Sequence, residues 1–171
     1  MKHYFCIKTN EGKSLYFNVT FSGRGLKGIN FRSAGFGKKT YHSCIVPNFV
    51  KSLEKNLARY LKGKKVDFES IPLDFSGAAG FYRKVWKKLM KIKPGRTVTY
   101  GELALICGDA KAARAVGNAM NKNPFPILVP CHRVIAKNGS LGGYSKGLRL
   151  KKMFLALEGN RLFVDKVSGK V

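Results

Sequence analysis

A chain of 171 residues with 44% hydrophobic content holds enough apolar material to bury a core, as one large or two small domains, without disulfide staples. Thirty-three Lys and Arg against nine Asp and Glu leave +24, more than solubility requires, and such a field draws polyanions by Coulomb steering and counterion release, which makes nucleic acid the first partner to consider. A membrane is disfavoured, because no uninterrupted apolar run approaches about 18 residues, and the opening Met1 to Cys6 lacks a signal-peptide core; a reducing cytoplasm, or a nucleus in a eukaryote, is expected.

Along the chain, Tyr4 to Thr9, Ser14 to Phe21 and Leu26 to Phe31 are short β-branched or aromatic runs. Asn10-Glu11-Gly12 and Ser22-Gly23-Arg24-Gly25 separate them as turns, so an antiparallel meander is expected. Pro47 opens a helical segment with Val50, Leu53, Leu57 and Leu61 at steps of three and four, and Gly63 closes it. Residues 64–77 read as irregular connection with room for a strand. Phe81, Val85 and Leu89 mark a second amphipathic helix ending at Pro94-Gly95.

Thr99 and Glu102 form a Thr-x-x-Glu capping box that starts a short helix ending at Cys107-Gly108. Asp109 then reads as the N-cap of a helix over Ala110 to Met120, so two helices meet at a tight turn, as in a helix-turn-helix. The second is slim: Ala110, Ala112, Ala113, Ala115, Gly117 and Ala119 leave only Lys111, Arg114 and Asn118 as polar reach. Such a helix suits close approach to a narrow groove with weak sequence preference, and its alanines also suit tight helix packing. The fold class is therefore α+β: a small N-terminal antiparallel sheet with a helix over 1–77, then a mainly α-helical domain over 78–171 containing the helix-turn-helix.

The cysteines Cys6, Cys44, Cys107 and Cys131 are scattered, with no Cys-x-x-Cys pair, and should be free thiols. His3, Cys6, His42 and Cys44 could meet as an N-terminal zinc site, but their spacing matches no recognised ligand pattern and no metal is assigned. Cys131 beside His132 admits two roles on its own, a buried structural thiol or a nucleophile with a base; a cysteine protease has no further support in the chain.

The run Asn123-Pro124-Phe125-Pro126-Ile127-Leu128-Val129-Pro130-Cys131-His132-Arg133-Val134 decides between them. With Lys111 to Gly117 and Gly142-Gly143-Tyr144-Ser145, it resembles the O6-alkylguanine-DNA alkyltransferases over residues 78–159, while the N-terminal half agrees only in general plan. The resemblance implies transfer of an alkyl group from O6 of guanine to Cys131, with His132 as base through a water, Glu158 orienting His132, and Tyr100 donating to the leaving oxygen. It implies DNA contacts at Tyr100, Ala112, Ala113 and Arg114, the last filling the space left by a flipped nucleotide. It further implies a hinge at Asn123 and a base pocket from Met120, Val134, Tyr144 and Ser145. Each molecule should react once, as a monomer on double-stranded DNA carrying O6-alkylguanine, with no cofactor or metal. The alternative is a protein that binds alkylated DNA, or regulates through the helix-turn-helix, without chemistry.

Overall fold

Alternation of apolar and polar residues builds the first element. In a computed structural model, which describes residues 1–9, 12–33 and 46–160, β1 (Lys2–Lys8), β2 (Ser14–Ser22) and β3 (Gly25–Arg32) form an antiparallel sheet in that order. Cys6 faces Tyr16 and Tyr16 faces Arg32, and the register slips at Thr20/Phe21. Leu15, Phe17, Val19 and Phe21 point to one buried face, as the two-residue period requires. Phe17 stacks on Phe5 at 5.1 Å and meets Phe31 at 5.5 Å. Helix α1 (Asn48–Tyr60) buries Val50, Leu53, Leu57 and Tyr60, and Gly63 closes its end with φ +70°. Within 64–77, Leu73 pairs with Leu26 in an isolated parallel bridge. Gly25 is required there, because a Cβ would stand 2.5 Å from the Pro72 carbonyl oxygen. The expected Asn10-Glu11 turn residues, and His42 and Cys44, lie outside the described residues.

Two compact units result, Met1–Ser76 and Gly77–Val171. The second contains α2 (Gly80–Leu89), β4 (Val98–Thr99), α3 (Tyr100–Ile106), α4 (Ala113–Asn121), a 3₁₀ turn (Cys131–Arg133), β5 (Val134–Ile135) and α5 (Leu148–Leu157). The class is α+β. Val85, Trp86 and Leu89 are the buried face of α2, and Trp86 Nε1 donates to the Ala119 carbonyl of α4 at 2.8 Å. Parallel pairing of Val98 with Val134 and Thr99 with Ile135 brings the start of α3 beside the end of the 3₁₀ turn.

Two expectations need correction. Helix α2 ends at Leu89, not at Pro94-Gly95; turns closed by Lys91 N to Lys88 O and Ile92 N to Leu89 O carry the chain from there, and Pro94 has no N–H with which a continued helix would bond the Met90 carbonyl. Asp109 is not an N-cap either. Its carboxylate accepts from the Lys111 amide at 2.9 Å, closing a local turn, and α4 starts only at Ala113, with Ala112 in the cap position. Among the described residues, no helix is long and apolar enough to cross a membrane, and no group of three His, Cys, Asp or Glu could hold a metal.

Candidate functional site

The segment between α4 and the 3₁₀ turn is fixed by one side chain. Asn123 Nδ2 donates to the Val129 carbonyl at 2.8 Å, and its Oδ1 accepts from the Phe125 amide at 2.9 Å, so the amide spans the loop that delivers Cys131. Within that loop Ile127 holds φ +77°, a costly conformation for a β-branched residue, and its side chain is buried. Cys131 begins the turn with 8% exposure.

Cys131 opens on a concavity of about 130 Å³. Of the expected pocket residues, Met120, Tyr144 and Ser145 line it, together with Tyr100 and Cys131; Gly117, Asn121 and Gly143 complete the wall without having been anticipated. Val134 and Asn123 stand outside that lining, one in β5 and the other bracing the loop. Arg114 is exposed on α4, with Ala112 and Ala113 at the start of the helix. Their side chains do not enter the concavity.

Behind Cys131 lies a buried polar cluster. His132 has no solvent exposure, and its Nε2 lies 2.8 Å from Glu158 Oε1. Arg133 grips the same carboxylate, Nη2 to Oε1 at 2.8 Å and Nε to Oε2 at 2.9 Å, and its Nη1 donates to the Ile92 carbonyl. Burial alone would raise the Glu158 pKa, but the hydrogen bonds from His132 and Arg133 outweigh it and hold the carboxyl well below its usual range. Burial dominates at His132 and lowers its pKa, so the ring is a neutral base. An ionised Glu158 can only accept, which assigns the Nε2 proton to His132 and leaves Nδ1 as the basic nitrogen.

Burial pushes the Cys131 thiol up, against Asn123, Tyr144 and Lys151, which favour the thiolate. The resting thiol is protonated. Tyr100, half-buried at the start of α3, is pushed up by burial and then by Cys131, and so keeps its proton. Tyr144 is raised further by burial, with its hydroxyl near Cys131. The sequence reading missed Arg133 as an anchor for Glu158 and missed Lys151 entirely. Arg133 was within the quoted motif, but nothing in the motif told which side chain it would hold.

Comparison with known proteins settles the relationship. Residues 80–160 match the model of the 6-O-methylguanine DNA methyltransferase DNA-binding domain. A methylated-DNA–protein-cysteine methyltransferase of Methanosarcina mazei is 45% identical over 159 residues, covering 88% of this chain and 96% of the relative. The chain belongs to the methylated-DNA–protein-cysteine methyltransferase family. Solved structures of such methyltransferases are similar to this chain. The crystal structure of an O6-methylguanine-DNA methyltransferase from Pyrococcus kodakaraensis superposes with TM-score 0.75 at 32% identity, over 93% of this chain and 99% of that one. Mycobacterium tuberculosis OGT in complex with DNA gives 0.71 at 34% identity, over 93% and 94%.

Proposed function

We propose that the protein repairs DNA by moving the alkyl group of O6-alkylguanine onto Cys131, once per molecule, after the damaged nucleotide leaves the duplex stack. What supports this reading is that Cys131 lines a concavity together with Tyr100 and is followed in the chain by His132, whose Nε2 lies 2.8 Å from Glu158 Oε1.

The chemistry is a displacement at carbon. The Cys131 proton passes through a water to His132, the sulfur forms a bond to the alkyl carbon, and the carbon–O6 bond breaks with its electron pair going to guanine. Tyr100 donates to the O6 atom as charge develops there. Backbone groups at Val134 and Ser145 hold the base, while Met120 and Tyr144 enclose it. Guanine O6 faces its pairing partner inside a duplex, so the nucleotide has to rotate out before sulfur can reach it. In this reading α3 and α4 act as a helix-turn-helix, Ala112 and Ala113 let α4 approach the DNA closely, and the exposed Arg114 fills the vacated space. Asn123 ties that helix to the Cys131 loop. The product is a thioether, which a neutral base does not reopen, so one chain consumes one lesion without cofactor or metal.

The competing reading is a protein that binds alkylated DNA, or regulates through α4, without chemistry. Cys131→Ala separates the two. Under the repair reading the variant binds O6-methylguanine duplex as the parent does and transfers no methyl; a variant that still transfers methyl ends the assignment of Cys131.

A further inference from the structure

Residues 80–96 carry seven Lys and Arg and no Asp or Glu. Helix α2 packs on α3 and α4 through Val85, Trp86 and Leu89, while Arg83 and Lys87 stand exposed on its opposite side and Lys91 is exposed in the turn that follows. Steps of four place these three in one stripe along the helix surface. Among the described residues, none of the three makes an ion pair. The acidic side chains described in the same unit are engaged elsewhere: Glu102 with the Thr99 amide, Asp109 with the Lys111 amide, and Glu158 with His132 and Arg133.

The fold gains little from the stripe. Lys87 sits favourably in the last turn of α2, but Arg83 lies four residues before it, and like charges at that spacing repel across the helix surface. Lys84 and Lys88 differ: they lie by the end of α3, near Cys107 and Gly108, where a cation meets the terminal carbonyls of a helix. Solubility alone would be served by mixed charges. A row of exposed cations without carboxylates instead suits a polyanion, with counterions released for each phosphate that the row neutralises.

The direction of the stripe says which segment of DNA it fits. The inward face of α4 is Val116, Ala119 and Met120, and Trp86 Nε1 of α2 donates to the Ala119 carbonyl at 2.8 Å. With the two helices packed core face to core face, Arg83 and Lys87 point away from the exposed Arg114 of α4. We propose that the Arg83–Lys87–Lys91 stripe is a second DNA-docking surface, which takes the phosphate backbone of another duplex segment while α4 holds the first. Two such faces let one chain pass directly between segments in its search for a lesion. The inference rests on α4 contacting DNA, as the repair reading has it.

The test immobilises a short undamaged duplex, loads it with protein, washes, and offers a fluorescent second duplex at low salt. The parent should capture the second duplex, and capture should fall as salt rises. Arg83→Gln, Lys87→Gln and Lys91→Gln combined in one protein should reduce capture about tenfold or more, while single-duplex binding and methyl transfer from O6-methylguanine DNA stay within about twofold of the parent. A control carrying Lys51→Gln, Lys55→Gln and Lys62→Gln, at exposed positions of the first unit, removes the same charge and should capture as the parent does. No capture by the parent, capture unchanged by the α2 substitutions, an equal loss in the control, or an equal loss of single-duplex binding would overturn the proposal. A parent that captures the second duplex but transfers no methyl would refute the repair reading instead.

Discussion

Glu158 is shared by two partners: Oε1 lies 2.8 Å from both His132 Nε2 and Arg133 Nη2, and Oε2 accepts from Arg133 Nε at 2.9 Å. With side-chain exposures of 2% for Glu158 and 9% for Arg133, this is an ion pair removed from water. Such pairs add little net stability when complete, but removing one partner strands the other charge. Glu158→Gln should therefore destabilise the fold by about 3 kcal/mol or more, read as the urea midpoint, and should slow transfer because the His132 tautomer is no longer imposed. A midpoint unchanged by the substitution would show that Arg133 finds compensation elsewhere.

The same cluster sets the response to acid. His132 is lowered from 6.5, chiefly by burial, and Glu158 from 4.5, by the hydrogen bonds of His132 and Arg133 that overcome burial. Both folded-state values are depressed, so the unfolded chain binds more protons and stability rises with pH across each window. The His132 contribution is complete above its ordinary 6.5 and is lost as pH falls through its lower folded value; the Glu158 contribution is complete above 4.5 and lost further into acid. Urea midpoints measured from pH 8 downwards should hold steady and then decline in those two stages. Stability that increases on acidification from pH 7 to pH 5 would contradict the neutral state of His132.

The turn 139–143 is held close to Tyr100 by a glycine. Gly142 has φ +63°, and a Cβ there would stand 3.4 Å from Tyr100 Cε2. Gly142→Ala should cost about 1–2 kcal/mol from the left-handed backbone alone, read as the urea midpoint, because the added Cβ meets the Tyr100 ring only at ordinary contact distance. A parent-like midpoint would contradict that backbone cost.

How far the sequence disclosed this arrangement depended on how local the cause was. The Thr99–Glu102 capping box is present as read, Thr99 Oγ1 accepting from the Glu102 amide at 3.2 Å and Glu102 Oε2 from the Thr99 amide at 2.7 Å, because all its atoms lie within one turn. The strands of the first sheet were legible for the same reason, in the alternation of Leu15, Phe17, Val19 and Phe21. Asp109 misled because an aspartate can serve a local turn as well as a helix cap. Lys151 was hidden: in Arg149-Leu150-Lys151-Lys152 it looks like a solvated helix residue, and only the long-range return of Val134 and Gly143 encloses it. The positive φ of Ile127 has no sequence signal, since it is imposed by the loop around it.

On DNA, the slim α4 and the +24 charge of the chain favour affinity built mainly on phosphate contacts. Binding should fall steeply with salt, linear on logarithmic axes, and vary little with the sequence flanking the lesion. Arg114→Ala should leave the fold intact, reduce the salt slope by no more than about one, and slow transfer from duplex more than from single-stranded DNA. Equal slowing on both substrates would remove Arg114 from its assigned place in the opened duplex.

Intact-protein mass spectrometry after incubation with excess O6-methylguanine duplex, followed by peptide mapping, addresses the single-turnover transfer to Cys131 most directly. One added methyl per chain, saturating there and located on Cys131, is the expected result. Tight binding of reduced protein with no change in mass, or methyl placed on another residue, would contradict it.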